Sequence, residues 1–329
     1  MKTPPFWYPK NAEDKSLASL LLSPFSSLFR VGTFLRRAAH PCPYRAKIPV
    51  ICIGNAVAGG AGKTPTALAL AKILKARGQK PVFVCRGYGG TGRLTRVTAE
   101  STPAQVGDEA LLLAKEAPTW VCKNRAKALK AAEKEASVII MDDGLQNPSI
   151  APSASVLVID GEVGLGNERL IPAGPLREPF GSVLKRIACA VIIGEDRQGL
   201  AQKIKAPVFR ARLEPRATNF ISSDKFFAFA GIARPEKFFA SLRGLGFDVA
   251  GMREFPDHHP FSSYDLAELQ NEATAAHARL ITTEKDAVRL PKGVGAEILT
   301  LPVNLIFENS ETEEQLASLV LTLAYTQNQ

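Results

Sequence analysis

The residues best suited to chemistry in this chain form one glycine-rich run, GNAVAGGAGKTPT, at residues 54–66. It lies between an apolar segment, KIPVICIG at 47–54, and a run of helix formers at 64–77 that Gly78 ends. A loop in that position suits a phosphate. Glycines let backbone N–H groups curl around phosphate oxygens, and the helix N-terminus adds its partial positive charge. Gly59, Gly60, Ala61, Gly62 and Pro65 would frame the phosphates. Lys63 would reach the β- and γ-phosphates of a nucleoside triphosphate, and the Thr64 hydroxyl would ligate Mg²⁺. The run departs from strict G-x-x-x-x-G-K-[ST] at its first position, which holds Val57. Gly59 and Gly60 supply the flexibility instead.

Such a site also needs a carboxylate at the tip of a neighbouring strand. Asp142 and Asp143 follow the apolar run SVIIM at 137–141. Acids leaving a buried strand beside a phosphate loop hold Mg²⁺ directly or through water. DDG is also good turn chemistry, but the loop and the acids together favour a nucleotide site. The residues themselves leave open which Asp binds metal.

Phosphoryl transfer to an alcohol requires further parts: a proton acceptor, cations and a held acceptor. Gly107-Asp108-Glu109 opens a predicted helix, where acids commonly serve only the helix end. Asp257-His258-His259 lies in a proline-rich, aromatic loop and hints at acid–base work, although a surface turn is the plainer reading. Arg86, Arg177 and Lys285 are candidate phosphate contacts. A guanine-nucleotide switch would carry [NT]-K-x-D, and TEKD at 283–286 has the wrong order.

The elements that must position these residues alternate. Strands are predicted at 47–54, 81–85, 119–122, 137–141, 155–159 and 188–193, with helices at 64–77, 105–116 and 124–135. Continuous apolar strands separated by helices indicate a parallel sheet covered on both faces. Near residue 213 the pattern restarts, with strands at 226–230, 247–252, 279–282 and 298–301 and helices at 235–243 and 263–276. With 329 residues, two domains are expected. The fold class is α/β: a P-loop NTPase-type parallel sheet core at 41–212, a smaller α/β domain at 213–329, and an N-terminal amphipathic helix within 1–40. The aromatic cluster Phe6, Trp7 and Tyr8 precedes apolar residues at helical spacing, with Arg30, Arg36 and Arg37 close by. That segment fits either an interfacial membrane helix or a helix packed on the protein. No uninterrupted apolar stretch approaches the ~20 residues of a span.

The net charge of +9 implies an anionic partner. The basic residues are scattered, with no aromatic interleaving, which argues against nucleic acid. Five cysteines without a C-x-x-C pair read as reduced core residues of a cytosolic protein.

Taken in order, GNAVAGGAGKTPT, RGYGG at 86–90, GDEA at 107–110, DDGLQ at 142–146, RLIPAGPLREP at 169–179, FPDHHPFS at 255–262 and TTEKDAVRL at 282–290 closely resemble the tetraacyldisaccharide 4'-kinase family, the lipid A kinases of Gram-negative bacteria. The resemblance implies transfer of the γ-phosphate of ATP, with Mg²⁺, to the 4'-hydroxyl of a tetraacyldisaccharide 1-phosphate. It implies a place on the cytoplasmic face of the bacterial inner membrane, held to an anionic surface by the N-terminal helix; a monomer is expected. By the same resemblance Lys63 and Thr64 bind phosphate and Mg²⁺. Asp108 activates the acceptor hydroxyl, with His258 as its partner from across the cleft. Asp142 is assigned to the metal, Asp143 to the reacting phosphate, and Arg177 to phosphate. Three positions depart from the family pattern: Cys85 where Ser is expected, Glu168 where Gly is expected, and His259 doubling His258. A membrane-associated nucleotide switch, or a kinase of a soluble small molecule, is the alternative.

Overall fold

The computed structural model describes residues 4–9, 16–216, 224–291, 293 and 298–326. After helix α1 (Leu17–Ala38), the chain runs through β1 (Val50–Gly54), α2 (Lys63–Ala76), β2 (Pro81–Cys85), β3 (Thr95–Arg96), α3 (Pro103–Val106), α4 (Asp108–Ala114), β4 (Thr119–Val121) and α5 (Arg125–Ala132). It continues with β5 (Val138–Asp142), β6 (Ala154–Asp160), α6 (Phe180–Leu184), β7 (Cys189–Ile193), α7 (Leu200–Lys203) and β8 (Val208–Pro215). A second unit follows: β9 (Lys225–Ala230), α8 (Pro235–Gly244), β10 (Asp248–Glu254), α9 (Ser263–Ala275), β11 (Arg279–Thr283), α10 (Glu284–Ala287) and β12 (Leu299–Leu301). The last elements are β13 (Val303–Phe307) and α11 (Ser310–Thr326).

The large sheet has the strand order β13-β8-β7-β6-β1-β5-β2-β4-β3. It is parallel except at its two edges, where β13 meets β8 and β3 meets β4 antiparallel. Its central strands bury both faces, which is why they read as unbroken apolar runs. Along β1, β2 and β5, alternate residues enter opposite cores. Ile51, Ile53, Phe83 and Ile140 face one layer, and Cys52, Val84, Ile139 and Met141 face the other. The smaller sheet, β10-β9-β11-β12, is parallel throughout. Phe226 and Ala228 pack on Phe238 and Leu242 of α8, while Phe227 and Phe229 pack against Leu266 and Leu269 of α9.

Two expectations need correction. The second unit does not run from 213 to 329. Strand β8 extends to Pro215 within the large sheet, β13 pairs with it, and α11 buries Leu316, Ala317 and Val320 against the layer that holds Leu70 and Leu74. Apolar periodicity marks an element but does not say which sheet it joins. Nor is the helix at 105–116 continuous: Gly107 takes φ +84° and separates α3 from α4.

Helix α1 displays Leu17, Leu20, Leu21, Phe25, Leu28, Val31, Phe34 and Leu35 on its exposed side. At 22 residues it is long and apolar enough to cross a bilayer by length and composition, although Pro24 and Arg30 interrupt its apolar run as the sequence shows. Its opposite side is docked. Ser19 and Ser26, seven positions apart and both buried, donate to the carbonyls of Ala173 and Leu170, each at 2.7 Å. Phe6, Trp7 and Tyr8 are not free aromatic anchors. The Trp7 indole donates to the Pro172 carbonyl at 3.0 Å, and the Asn167 amide donates to the Phe6 carbonyl at 3.0 Å.

Candidate active site

The phosphate loop leaves β1 and ends at Gly62, the N-cap of α2, whose φ of +84° only glycine adopts readily. A side chain there would also run into Ile193. Val57 needs no such freedom, because it bridges Leu176 in extended pairing. Strand β5 lies beside β1 and delivers Asp142 to the loop. The Thr64 hydroxyl donates to Asp142 Oδ2 at 3.3 Å, while Oδ1 is buried without a hydrogen-bond partner among the described residues. Burial pushes the Asp142 carboxyl up to about 7, the nearby Glu109 charge adds to this, and Lys63 opposes it. A buried carboxylate oxygen left unpaired beside a hydroxyl is a good half-site for a hard cation.

Asp143 sits at φ +52°, a conformation that costs energy and clusters at functional sites. Burial pushes its carboxyl up. Lys63, 3.6 Å away, and Arg177, at 3.0 Å, outweigh burial and hold it below the usual carboxylate range. Arg125 supports the turn from below by donating to the Asp143 carbonyl at 3.3 Å.

The second cluster is built by both units. Asp108 opens α4, where Oδ1 accepts the Glu109 N–H at 2.9 Å. Oδ2 lies 2.8 Å from His258 Nδ1 and 3.5 Å from Arg289 Nε. Burial alone would raise the Asp108 carboxyl, but the His258 hydrogen bond and the charges of Lys285 and Arg289 hold it low. His258, in the loop after β10, adopts φ +62°. Its Nε2 lies 3.4 Å from Lys285 Nζ, and the Tyr88 ring packs 5.5 Å away. His259 points elsewhere: its Nε2 meets Asp265 at 3.2 Å, and its ring lies 4.7 Å from Phe255. Of the two adjacent histidines, His258 is therefore the one beside Asp108.

Residues 18–321 match the family described as tetraacyldisaccharide-1-P 4'-kinase. The chain belongs to this family. It is 44% identical over 329 residues to the tetraacyldisaccharide 4'-kinase of Rhodospirillum centenum, covering 98% of this chain and 97% of that one. It is 49% identical over 314 residues to that of Paramagnetospirillum magneticum, covering 93% and 94%. Among solved structures, the "apo" form LpxK of Aquifex aeolicus in complex with ATP superposes with a TM-score of 0.79 at 25% identity, covering 94% of this chain and all of that one. The chain is accordingly a lipid A 4'-kinase, and the nucleotide-switch alternative falls away.

The positions where it departs from the family pattern are accommodated locally. Cys85 is a small buried residue, and burial pushes its thiol up to about 12, which keeps it protonated. Glu168 sits at φ +58°, a conformation that glycine adopts without strain, and its carboxylate pairs with Lys203 at 3.0 Å. Glu109, the second acid of the Gly107-Asp108-Glu109 candidate, faces Asp142 electrostatically. Several residues not singled out from sequence also join the site. Gln146 donates to the Asn55 carbonyl at 2.9 Å. The buried Glu178 gathers Arg37 at 2.9 Å, Arg186 at 2.8 Å and Gln146 at 3.2 Å. Arg289 belongs to the TTEKDAVRL run, whose Asp286 and Arg289 stand one helical turn apart and pair at 2.8 Å. That i, i+3 spacing was the available signal. Arg86 stays exposed at the rim.

Proposed function

We propose that the γ-phosphoryl group of ATP passes in this cleft to the 4'-hydroxyl of a tetraacyldisaccharide 1-phosphate, and that Asp108 and His258 together remove the hydroxyl proton. The observation that carries this reading is the 2.8 Å contact between His258 Nδ1 and Asp108 Oδ2. From sequence Asp108 is the acceptor and His258 its helper. The side-chain exposures, 4% for Asp108 and 32% for His258, favour the opposite division of labour within the same pair. A carboxylate held low is also a weak base. Asp108 fixes the Nδ1–H, so Nε2 carries the lone pair that receives the proton. The acceptor oxygen then bonds to the γ-phosphorus as the bond to the β–γ bridging oxygen breaks, and ADP leaves with that electron pair.

Lys63 and Arg177 neutralise the phosphates, and Asp143 holds both cations ready for them. Gly59, Gly60, Ala61, Gly62 and Pro65 frame the loop. Thr64 and Asp142 would hold Mg²⁺, which supplies charge neutralisation on the phosphate oxygens; the unpaired Asp142 Oδ1 supports that assignment. We place the enzyme, as a monomer, on the cytoplasmic face of the inner membrane. The exposed apolar row of α1 enters the interface, and the net charge of +9 favours anionic lipid. The docked serines support a helix lying on the membrane rather than crossing it. The second unit, from β9 to β12, closes over the P-loop domain to bring His258 to Asp108.

The test is phosphoryl transfer from γ-labelled ATP, with Mg²⁺, to tetraacyldisaccharide 1-phosphate in detergent micelles. Label on the lipid is expected. ADP release without labelled lipid would overturn the assignment.

A further inference from the structure

A phosphate loop works only if its N–H groups face inward, and its carbonyls must then find donors outside. Three consecutive carbonyls of this loop are each held by a different side chain. The Ala58 oxygen accepts from the Tyr8 hydroxyl at 3.4 Å, the Gly59 oxygen from the Asn55 amide at 3.2 Å, and the Gly60 oxygen from Arg234 Nη2 at 3.2 Å. Asn55 belongs to the loop. Tyr8 comes from the segment before α1, and Arg234 is the N-cap residue of α8 in the second unit.

Arg234 is itself fixed. The same Nη2 donates to Asp160, a buried carboxylate at the end of β6, the strand next to β1. Lys237, one turn further along α8, reaches Asp160 at 3.3 Å and Glu162 at 2.6 Å. Burial pushes the Tyr8 phenol up, while the Arg234 charge opposes the shift, so Tyr8 stays a neutral donor. Gly59 and Gly60 have no neighbour within 4 Å of where a Cβ would stand, so no side-chain packing restrains this turn from those positions. Hydrogen bonds to the carbonyls do.

We infer that Arg234 and Tyr8 are positioning residues for the nucleotide: they hold the 58–60 turn in its phosphate-receiving form before ATP arrives. The inference rests on the loop being the ATP site. It gives the second unit a role in nucleotide affinity as well as in proton removal. A side chain that preorganises a binding loop acts on substrate affinity and leaves the chemical step at saturation alone.

The experiment uses the full chain in detergent micelles and measures ATP affinity by calorimetry alongside steady-state kinetics. Arg234→Ala should weaken ATP about ten-fold, the loss of one charge-assisted hydrogen bond, and Tyr8→Phe about three-fold. In both, kcat at saturating ATP and KM for the lipid should stay within about two-fold. Arg234→Lys should recover part of the loss. Lys237→Ala, which touches Asp160 but not the loop, should leave ATP affinity unchanged. Unchanged ATP affinity in both Arg234→Ala and Tyr8→Phe, or a loss confined to kcat, would overturn the inference. Should Arg234→Ala fail to fold, Tyr8→Phe decides alone. Failure of the unsubstituted protein to bind ATP would instead overturn the nucleotide reading on which the inference rests.

Discussion

His258 Nδ1 lies 2.8 Å from Asp108 Oδ2, although 150 residues separate them and each belongs to a different sheet unit. Asp108 follows a glycine that breaks one helix and starts another, and His258 is held at positive φ. Neither conformation is the cheapest for its chain segment. Both are maintained by surrounding contacts, among them the buried Asp286–Arg289 pair that brings Arg289 to Asp108. Replacing Asp108 with Asn, or His258 with Ala, should therefore lower kcat by about 10²–10⁴. ATP affinity should be nearly unaffected. The double variant should be little worse than either single one, because the pair acts as a unit. Pre-steady-state transfer rates and calorimetric ATP titration check this.

The charges around Asp108 set its pH behaviour. Burial raises its proton affinity, and His258, Lys285 and Arg289 lower it by more. The folded-state value therefore lies below the ordinary one, and the carboxylate form persists well into acid. Lys285→Met removes one lowering charge and leaves the burial, so the proton affinity of Asp108 rises. The Asp108 carboxyl titration, followed by infrared difference spectroscopy or NMR, should move to higher pH in Lys285→Met and stay in place in Lys285→Arg. The same sign governs folding. The stability contributed by the depressed Asp108 is fully present above the unfolded-state value of about 3.9 and is lost as pH falls through the lower folded-state value. An Asp108 titration that does not move in Lys285→Met would show that Lys285 is not one of the charges that hold it low.

Gly107 connects backbone geometry to the same carboxylate. Its φ is +84°, and a Cβ there would collide with the Tyr88 carbonyl oxygen. Gly107→Ala should cost about 1–3 kcal/mol of stability. It should also reduce kcat more than it weakens ATP, since α4 would have to shift at the residue before Asp108. Thermal melts and kinetics on the one variant separate the two effects.

The parts of this site that are contiguous in sequence are legible there. The loop at 54–66 and the acids after SVIIM each carry their chemistry locally, and the structure brings Thr64 and Asp142 together as that reading requires. The Asp108–His258 pair is different. Residue types and spacing favour a helix end and a surface turn, and only resemblance to the family joins them, because the contact depends on how two sheets close. The return of β13 to β8 was missed for a related reason: Pro302 alone separates β12 in one sheet from β13 in the other. Arg234 gives no signal, since its partner in the loop is a backbone carbonyl, which has no sequence signature, and its other partner, Asp160, is 74 residues away.

Helix α1 supports a prediction that separates membrane binding from folding. Leu20, Leu21, Phe25 and Leu28 are 60–69% exposed, so they contribute little to packing within the protein. Burying a Leu or Phe side chain in an interface stabilises the bound state by roughly 1.5–3 kcal/mol. Leu21→Asp combined with Leu28→Asp should thus reduce binding to anionic vesicles by at least ~100-fold, since two such burials are lost and two charges are added. The melting temperature should hardly change. Ser19→Val and Ser26→Val should do the reverse, because each removes a 2.7 Å hydrogen bond that docks the helix on the carbonyls of Ala173 and Leu170. Each should cost about 0.5–1.5 kcal/mol of stability while vesicle binding persists. Vesicle co-sedimentation and thermal melts on the two pairs provide the comparison. If the aspartate pair melts early and still binds vesicles, the exposed row is a folding surface and not the membrane contact.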